Sequence, residues 1–299
     1  MTSPAFAPAA PARGLLALTG DDRAAFLQGL VSNDVRLLSP ARALWAALLT
    51  AQGKYLQDFF LLQSGETVLI EGEGARLADL KRRLSIYKLR AKIALEDVSA
   101  SWEVFVGWDG GAAEAFGLRE AGQAAPIGAG LVYLDPRRPS LGIRVVTPVG
   151  SGSALLSAQG FVSGAWEDWE DRRLAEGVPD GSRDLIPEKS ILLENGFDEL
   201  GGVAWDKGCY IGQELTARTK YRGLIKKRLM PVAIDGDLPP PGTIVTSPDG
   251  GEAGEIRSGR GARALAVMRF EALDSHKILT AAGARVTALP PAWLHRPQG

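Results

Sequence analysis

Cysteine is almost missing from this chain: its 299 residues hold a single thiol, Cys209, and only two histidines. One cysteine cannot close an intrachain disulfide. Nor does it form, with the remote His276 and His295, the ligand spacing of a zinc or iron–sulfur motif, so no permanently bound metal is expected. A cysteine hydrolase usually pairs its thiol with a histidine base, and both histidines fall inside or after the C-terminal region, which disfavours that mechanism. A Gly-rich phosphate loop between a strand and a helix is absent as well, leaving nucleotide binding without support. No apolar run reaches the roughly 18 residues that cross a bilayer, and no membrane partner is expected. Charge of either sign is not in excess: the net charge of -1 and a pI near 6.2 give no global pull toward nucleic acid, and direct nucleic-acid binding is not expected. The opening "MTSPAFAPAAPARG" lacks the basic and apolar regions of a secretory signal. A free thiol without export signals implies a reducing, cytoplasmic location.

The length is that of two or three compact units. Residues 1–13, rich in Ala and Pro, read as an extended or disordered lead-in. "GLLALTG" then reads as a strand and "DDRAAFLQGLVS" as a helix, followed by three strands, "ALWAALLT", "YLQDFFLLQ" and "TVLIEGE", in an antiparallel meander. "GARLADLKRRLSIYKL" carries Leu77, Leu80 and Leu84 at helical spacing. Strands are expected around 93–97, 102–107, 131–134 and 142–147, and helices near 111–118 and 151–159. "SGAWEDWEDRRLAEG" reads as a helix capped by Ser163 and closed by Gly177. Strands interrupted by helices without regular alternation indicate an α+β class over 14–227. From 228 to 299, short strands between Gly/Pro turns predict a small β-barrel or sandwich.

The stretch "WDKGCYIGQELTARTKYR" (205–222) encloses the thiol between Gly208 and Gly212, with Lys207 before it and Gln213 and Glu214 after it. Three readings are open: a buried small hydrophobe, a nucleophile, or a ligand in metal or sulfur chemistry. The glycines imply a tight backbone path, and Lys207 would favour the thiolate if the two side chains meet. Two runs without acids, "KRRLSIYKLRAK" (81–92) and "RTKYRGLIKKR" (218–228), carry Tyr87 and Tyr221 among their cations. Solvated faces are their default reading, and convergence would create an anion site. Asp58 sits on a strand in apolar company and Glu188 follows a proline. An inward acid is costly to bury without a partner.

"KGCYIGQE" resembles the signature of the YgfZ/IBA57 (CAF17-like) folate-binding proteins, relatives of the glycine-cleavage T-protein. "LTGDDRAAFLQGLVSNDV", "LLTAQGKYLQDFFL", "RRLAEGVPDGSRDLIPE" and "ARTKYRG" extend the similarity over nearly the whole chain from about residue 14. The resemblance implies two intertwined antiparallel α+β domains plus a C-terminal barrel in a T-protein-like ring, with tetrahydrofolate or a one-carbon derivative as cofactor. It also implies a role in assembly or maintenance of iron–sulfur clusters, especially in [4Fe–4S] enzymes including some that modify tRNA. Partners would be reduced folate and iron–sulfur assembly factors or recipient [4Fe–4S] proteins. Carried onto this chain, the functional motif is Lys207, Gly208, Cys209, Tyr210, Gly212, Gln213 and Glu214. For folate, Tyr55, Tyr87 and Tyr210 are candidates for the aromatic slot, Asp58 or Glu188 for the pterin edge, and Arg218 or Arg222 for the anionic tail. The competing functions are a folate-dependent aminomethyl or one-carbon transferase, permitted by fold kinship, and an RNA-binding module resting on the basic runs alone.

Overall fold

The computed structural model describes residues 3–10, 12–276 and 278–296. In chain order the elements are β1 (Ala5–Pro8), β2 (Arg13–Thr19), α1 (Arg23–Gln28), β3 (Leu44–Leu49), β4 (Tyr55–Ser64), β5 (Thr67–Glu73) and α2 (Leu77–Ile86). There follow β6 (Ala94–Asp97), β7 (Trp102–Trp108), β8 (Ala124–Ile127), β9 (Gly130–Leu134), β10 (Ile143–Pro148), α3 (Gly152–Ala158), β11 (Val162–Ser163) and α4 (Trp166–Glu176). The last stretch holds α5 (Gln213–Tyr221), β12 (Lys227–Asp235), β13 (Ile244–Thr246), β14 (Glu252–Arg260), β15 (Arg263–Arg269), α6 (Phe270–Ser275), β16 (Leu279–Ala281) and β17 (Ala284–Ala288). The class is α+β.

Two compact units form from interleaved segments. The first takes the described residues of Met1–Leu48, Gln57–Trp169 and Gly201–Ile211; the second takes those of Leu49–Leu56, Glu170–Leu200 and Gly212–Gly299. A five-stranded sheet, ordered β3-β4-β5-β2-β6, and a six-stranded sheet, ordered β11-β1-β7-β10-β9-β8, build the first unit. The β4–β5 and β2–β5 pairs are antiparallel, and Phe60 lies opposite Glu71. Side chains alternate along a strand, so Asp58 and Phe60 share one face of β4 while Gln57 and Phe59 share the other. The second face lies under α2: the Gln57 amide donates to Arg76 O at 3.2 Å and Asp79 Oδ2 at 3.1 Å, and Leu77, Leu80 and Leu84 are buried. The six-stranded sheet carries its own apolar core of Phe6, Phe105, Val132, Val145 and Phe161.

The second unit contains a closed barrel, β12-β15-β14-β13-β16-β17, filled by Met230, Val232, Val245, Ile256, Ala266 and Val286. Closure removes the exposed edges that six short strands would otherwise present. Arg173, fully buried on α4, binds Glu170 at 2.7 Å, Asp184 at 2.8 Å and Ser258 Oγ on β14 at 2.8 Å. A buried guanidinium is tolerated only with this degree of pairing.

Several expectations need correction. The lead-in is ordered where it is described: Ala5–Pro8 pairs antiparallel with β7, and its backbone groups are satisfied there, while Met1, Thr2 and Pro11 lie outside the described residues. Around 111–118 only a single 3-10 turn forms, Glu114–Phe116, because Asp109, Gly110, Gly111 and Gly117 all take positive φ. Ser163 belongs to β11 and does not cap α4, whereas Gly177 ends that helix with φ +74° as expected. α1 stops at Gln28, and the residues after it leave the helix to form a loop against the signature. Strands β8, β11, β16 and β17 and helices α5 and α6 have no counterpart among the elements expected from the sequence.

Candidate functional site

Residues 201–211 are laced to residues 29–33 within the first unit. Ser32 Oγ donates to Gly202 O at 2.6 Å, and the Asn33 amide donates to Gly201 O and Trp45 O, both at 2.8 Å. The Ala204 amide donates to Ser32 O at 3.0 Å and the Ile211 amide to Gly29 O at 3.2 Å. The platform is stiffened from behind by Gln28, which donates to Asp34 Oδ1 at 3.0 Å and accepts from the Val35 amide at 2.8 Å. Arg36 holds the Asp34 carboxyl at about 2, well below the usual carboxylate range.

Lys207 completes this lacing. Its buried ammonium donates to Val31 O at 2.6 Å and Asn33 O at 2.7 Å and lies 4.9 Å from the centre of the Tyr210 ring. Burial pulls its pKa down to about 8, against the opposing pull of Asp34. Lysine and tyrosine of the motif are thus brought together, and the ammonium is committed to loop carbonyls. Cys209, one residue beyond Gly208, is exposed, which excludes the buried-hydrophobe reading of the thiol. Around Gly208 there is open space: a Cβ placed there would meet nothing within 4 Å, and its φ is ordinary.

Gly212 is under the opposite constraint. Within the second unit it packs on the turn between β3 and β4, with φ +81°, and a Cβ would lie 2.5 Å from Thr50 O and 2.9 Å from Gly53 Cα. Gly53, at φ +76°, would in turn meet Leu215 Cβ at 2.6 Å. Only glycine allows both the left-handed backbone and this approach. Gln213 and Glu214 open α5, and Glu214 pairs with Arg218 one turn later at 2.5 Å.

The folate candidates occupy distinct places. Asp58, buried in the first unit, accepts from Trp45 Nε1 at 2.9 Å. Tyr55 is fully buried, and in the second unit its backbone is held at both ends, by Ser190 O at 2.9 Å and the Glu188 amide at 2.7 Å. Strand alternation sends Tyr55 and Asp58 to opposite faces of β4, so they do not line one slot on a single face. Glu188 is exposed at φ +63°. Arg218 and Arg222 are exposed at the end of α5, and Tyr87 is exposed beyond α2. Each of the two basic runs lies in a different unit.

A buried polar cluster on the Asp58 face went unread in the sequence. Glu71 on β5 is fully buried and binds Arg13 at 3.0 Å, with Arg144 and the Tyr133 hydroxyl donating to the same carboxylate. Arg144 and Arg137 lie 4.5 and 4.9 Å from the Phe60 ring centre, and Arg137 pairs with Asp135 at 2.7 Å. Burial alone would raise the Glu71 pKa, and the two arginines outweigh it and hold the carboxyl at about 2. The signal was present, because "TVLIEGE" and "GIRVV" place charges at inward strand positions just as "YLQDFF" does.

A family model for the CAF17 C-terminal β-barrel domain matches residues 226–296. The chain is 36% identical to the human iron–sulfur cluster assembly factor IBA57, mitochondrial, over 94% of its own length and 83% of that protein. The mouse counterpart is 34% identical over the same shares. In fold it matches the glycine cleavage system aminomethyltransferase T of Bartonella henselae with a TM-score of 0.78 at 13% identity, covering 99% of this chain and 87% of that one. The relatives are mitochondrial by name, which points away from the cytoplasm and corrects the location inferred from the free thiol. A reducing environment is common to more than one compartment, so the thiol carried no address.

Proposed function

The chain belongs to the IBA57 family of iron–sulfur cluster assembly factors, and from that premise we propose that it acts by binding reduced folate while Cys209 handles cluster or sulfur as a transient thiolate ligand. The observation that carries this reading is the exposed thiol beside the open space at Gly208, on a loop that Lys207 and Ser32 hold in place. One thiolate suffices for transient ligation when the recipient protein supplies the other ligands, and is too few for permanent ownership.

The donor set suits a folate. Taken one by one, a carboxylate such as Asp58 or Glu188 would accept from a pterin edge, and an exposed cation such as Arg218 or Arg222 would meet a glutamate tail. Arg222 has no carboxylate partner among the described residues, which suits it to an external anion. Bound reduced folate would supply a pterin able to carry a one-carbon unit. The [4Fe–4S] enzymes served, including tRNA-modifying ones, are part of the same proposal.

Calorimetric titration with 5-formyltetrahydrofolate, on the wild type and Cys209→Ala, tests both halves when joined to [4Fe–4S] enzyme activity in cells. Saturable one-site binding by both proteins, with activity lost in Cys209→Ala cells, is the expected result. Binding with full activity in those cells would remove the thiol role and favour the one-carbon transferase. Absence of binding by either protein would refute the folate half.

A further inference from the structure

The acid-free run 81–92 ends in a feature that cluster handling and folate binding leave unused. α2 buries Leu84, and Ile93 is buried after the turn, while every residue from Ser85 to Arg90 is exposed. Three of those six are large apolar groups: Ile86 is 60% exposed, Tyr87 39% and Leu89 88%. Lys88 and Arg90 stand between and beside them with no carboxylate partner among the described residues, whereas Arg82 and Arg83 are tied to Asp79 at 2.5 and 2.8 Å.

Leu89 stands out. The Ala91 amide donates to Lys88 O at 2.7 Å, closing a tight turn that places Leu89 at φ +41°. That conformation favours glycine or asparagine, and a branched apolar side chain there is strained. Nothing in the fold compensates, because the side chain points into solvent. The turn is nevertheless held on both sides: the Tyr87 amide donates to Leu84 O at 3.0 Å and the Lys92 amide to Asp22 Oδ2 at 2.7 Å. Strain in a well-held segment indicates a role outside the fold.

We propose that Ile86–Arg90 is a preformed docking knob for an acidic protein surface, with Leu89 entering an apolar pocket and Lys88 and Arg90 meeting carboxylates at its rim. Resting on the assembly reading above, the inference assigns the occupant as the [4Fe–4S] protein that receives the cluster. A rigid apolar knob ringed by unpaired cations matches a hot spot with a charged rim. Cations alone would serve a polyanion such as RNA, and three apolar residues on one turn lack the extended apolar face that a lipid surface takes. The second basic run also exposes Tyr221 (75%) and Leu224 (48%), but Arg218, Lys220, Lys227 and Arg228 around them are paired with Glu214, Asp198, Glu194 and Glu199, and neither apolar residue sits at a positive φ as Leu89 does.

The probe is the [4Fe–4S] enzyme whose activity falls most when this chain is depleted, purified in its apo form and titrated calorimetrically. Leu89→Gly should weaken binding by about thirtyfold or more without lowering the melting temperature, because glycine relieves the turn. Lys88→Glu/Arg90→Glu should weaken binding and abolish its salt dependence. Unchanged affinity in Leu89→Gly, or no saturable binding by the wild type, would overturn the knob while leaving the assembly role standing if depletion lowers the activity. Binding to phosphatidylcholine/phosphatidylserine vesicles or to bulk tRNA that survives Leu89→Gly would overturn the assigned occupant. If depletion lowers no [4Fe–4S] enzyme, the assembly reading fails and the proposal falls with it.

Discussion

Replacing Glu71 by glutamine should destabilise the protein by about 3 kcal/mol at neutral pH, and the deficit should fade in acid. Glu71 is fully buried between β2, β9 and β10, with Arg13, Tyr133 and Arg144 on its carboxylate. Its pKa falls from 4.5 to about 2 on folding, which at roughly 1.4 kcal/mol per pH unit amounts to about 3 kcal/mol. Breaking a buried ion pair by removing one partner costs a comparable amount, about 3–5 kcal/mol, because the arginines are left uncompensated. The folded pKa lies below the unfolded one. The stabilisation is therefore complete above 4.5 and is lost as the pH falls toward 2. Urea denaturation of wild type and Glu71→Gln from pH 7 to pH 3.5 is the assay. The gap should narrow by roughly 1 kcal/mol over that range. A gap below about 1 kcal/mol at pH 7, or one independent of pH, would refute the argument that this pair joins the two sheets.

Other substitutions separate fold from function. Lys207 titrates near 8 because burial disfavours its charge; a lysine whose folded pKa is depressed makes stability rise as the pH climbs from about 8 toward 10.5. The neutral amine keeps two donors for Val31 O and Asn33 O, so thermal unfolding of wild type should show this rise and Lys207→Met should not. Gly212→Ala should cost about 1–3 kcal/mol from left-handed strain, with more from the clash at Thr50 O, while Gly208→Ala should stay within about 0.5 kcal/mol of wild type. Equal loss in the two variants, measured by denaturant midpoint, would contradict the glycine geometry.

Much of the frame was legible because β2 to β5 and the barrel strands β12 to β15 are marked by apolar runs and Gly/Pro turns that no tertiary contact overrides. Leu77, Leu80 and Leu84 gave α2 its buried face for the same reason. α5 carries little apolar periodicity, and its start is set by Gly212 packing on Gly53, a contact between segments far apart in sequence. β1 looked like a polyalanine–proline tail because its partner, β7, lies about a hundred residues away. Tyr55 reads as a wall of the aromatic slot and Asp58 as a pterin-edge acceptor, and strand alternation puts the two on opposite faces of β4. The same alternation, applied to Glu71 and Arg144, would have disclosed the buried cluster.

The signature can be divided by asking which of its residues the fold needs. Gly212 is required by its φ and by the approach of the β3–β4 turn, and Lys207 and Tyr210 hold the loop over residues 31–33. The Ile211 amide is bonded to Gly29, Gln213 opens α5, and Glu214 supports that helix through Arg218. Gly208 and Cys209 are left over from this division, since Gly208 faces open space at an ordinary backbone angle and Cys209 exposes its thiol. Cys209→Ala should accordingly leave the melting temperature unchanged, a surface substitution within about 0.5 kcal/mol. Loss of [4Fe–4S] enzyme support in such a stable variant assigns the thiol to chemistry. A matching loss of stability would instead return Cys209 to the fold and make the open space beside it a packing accident.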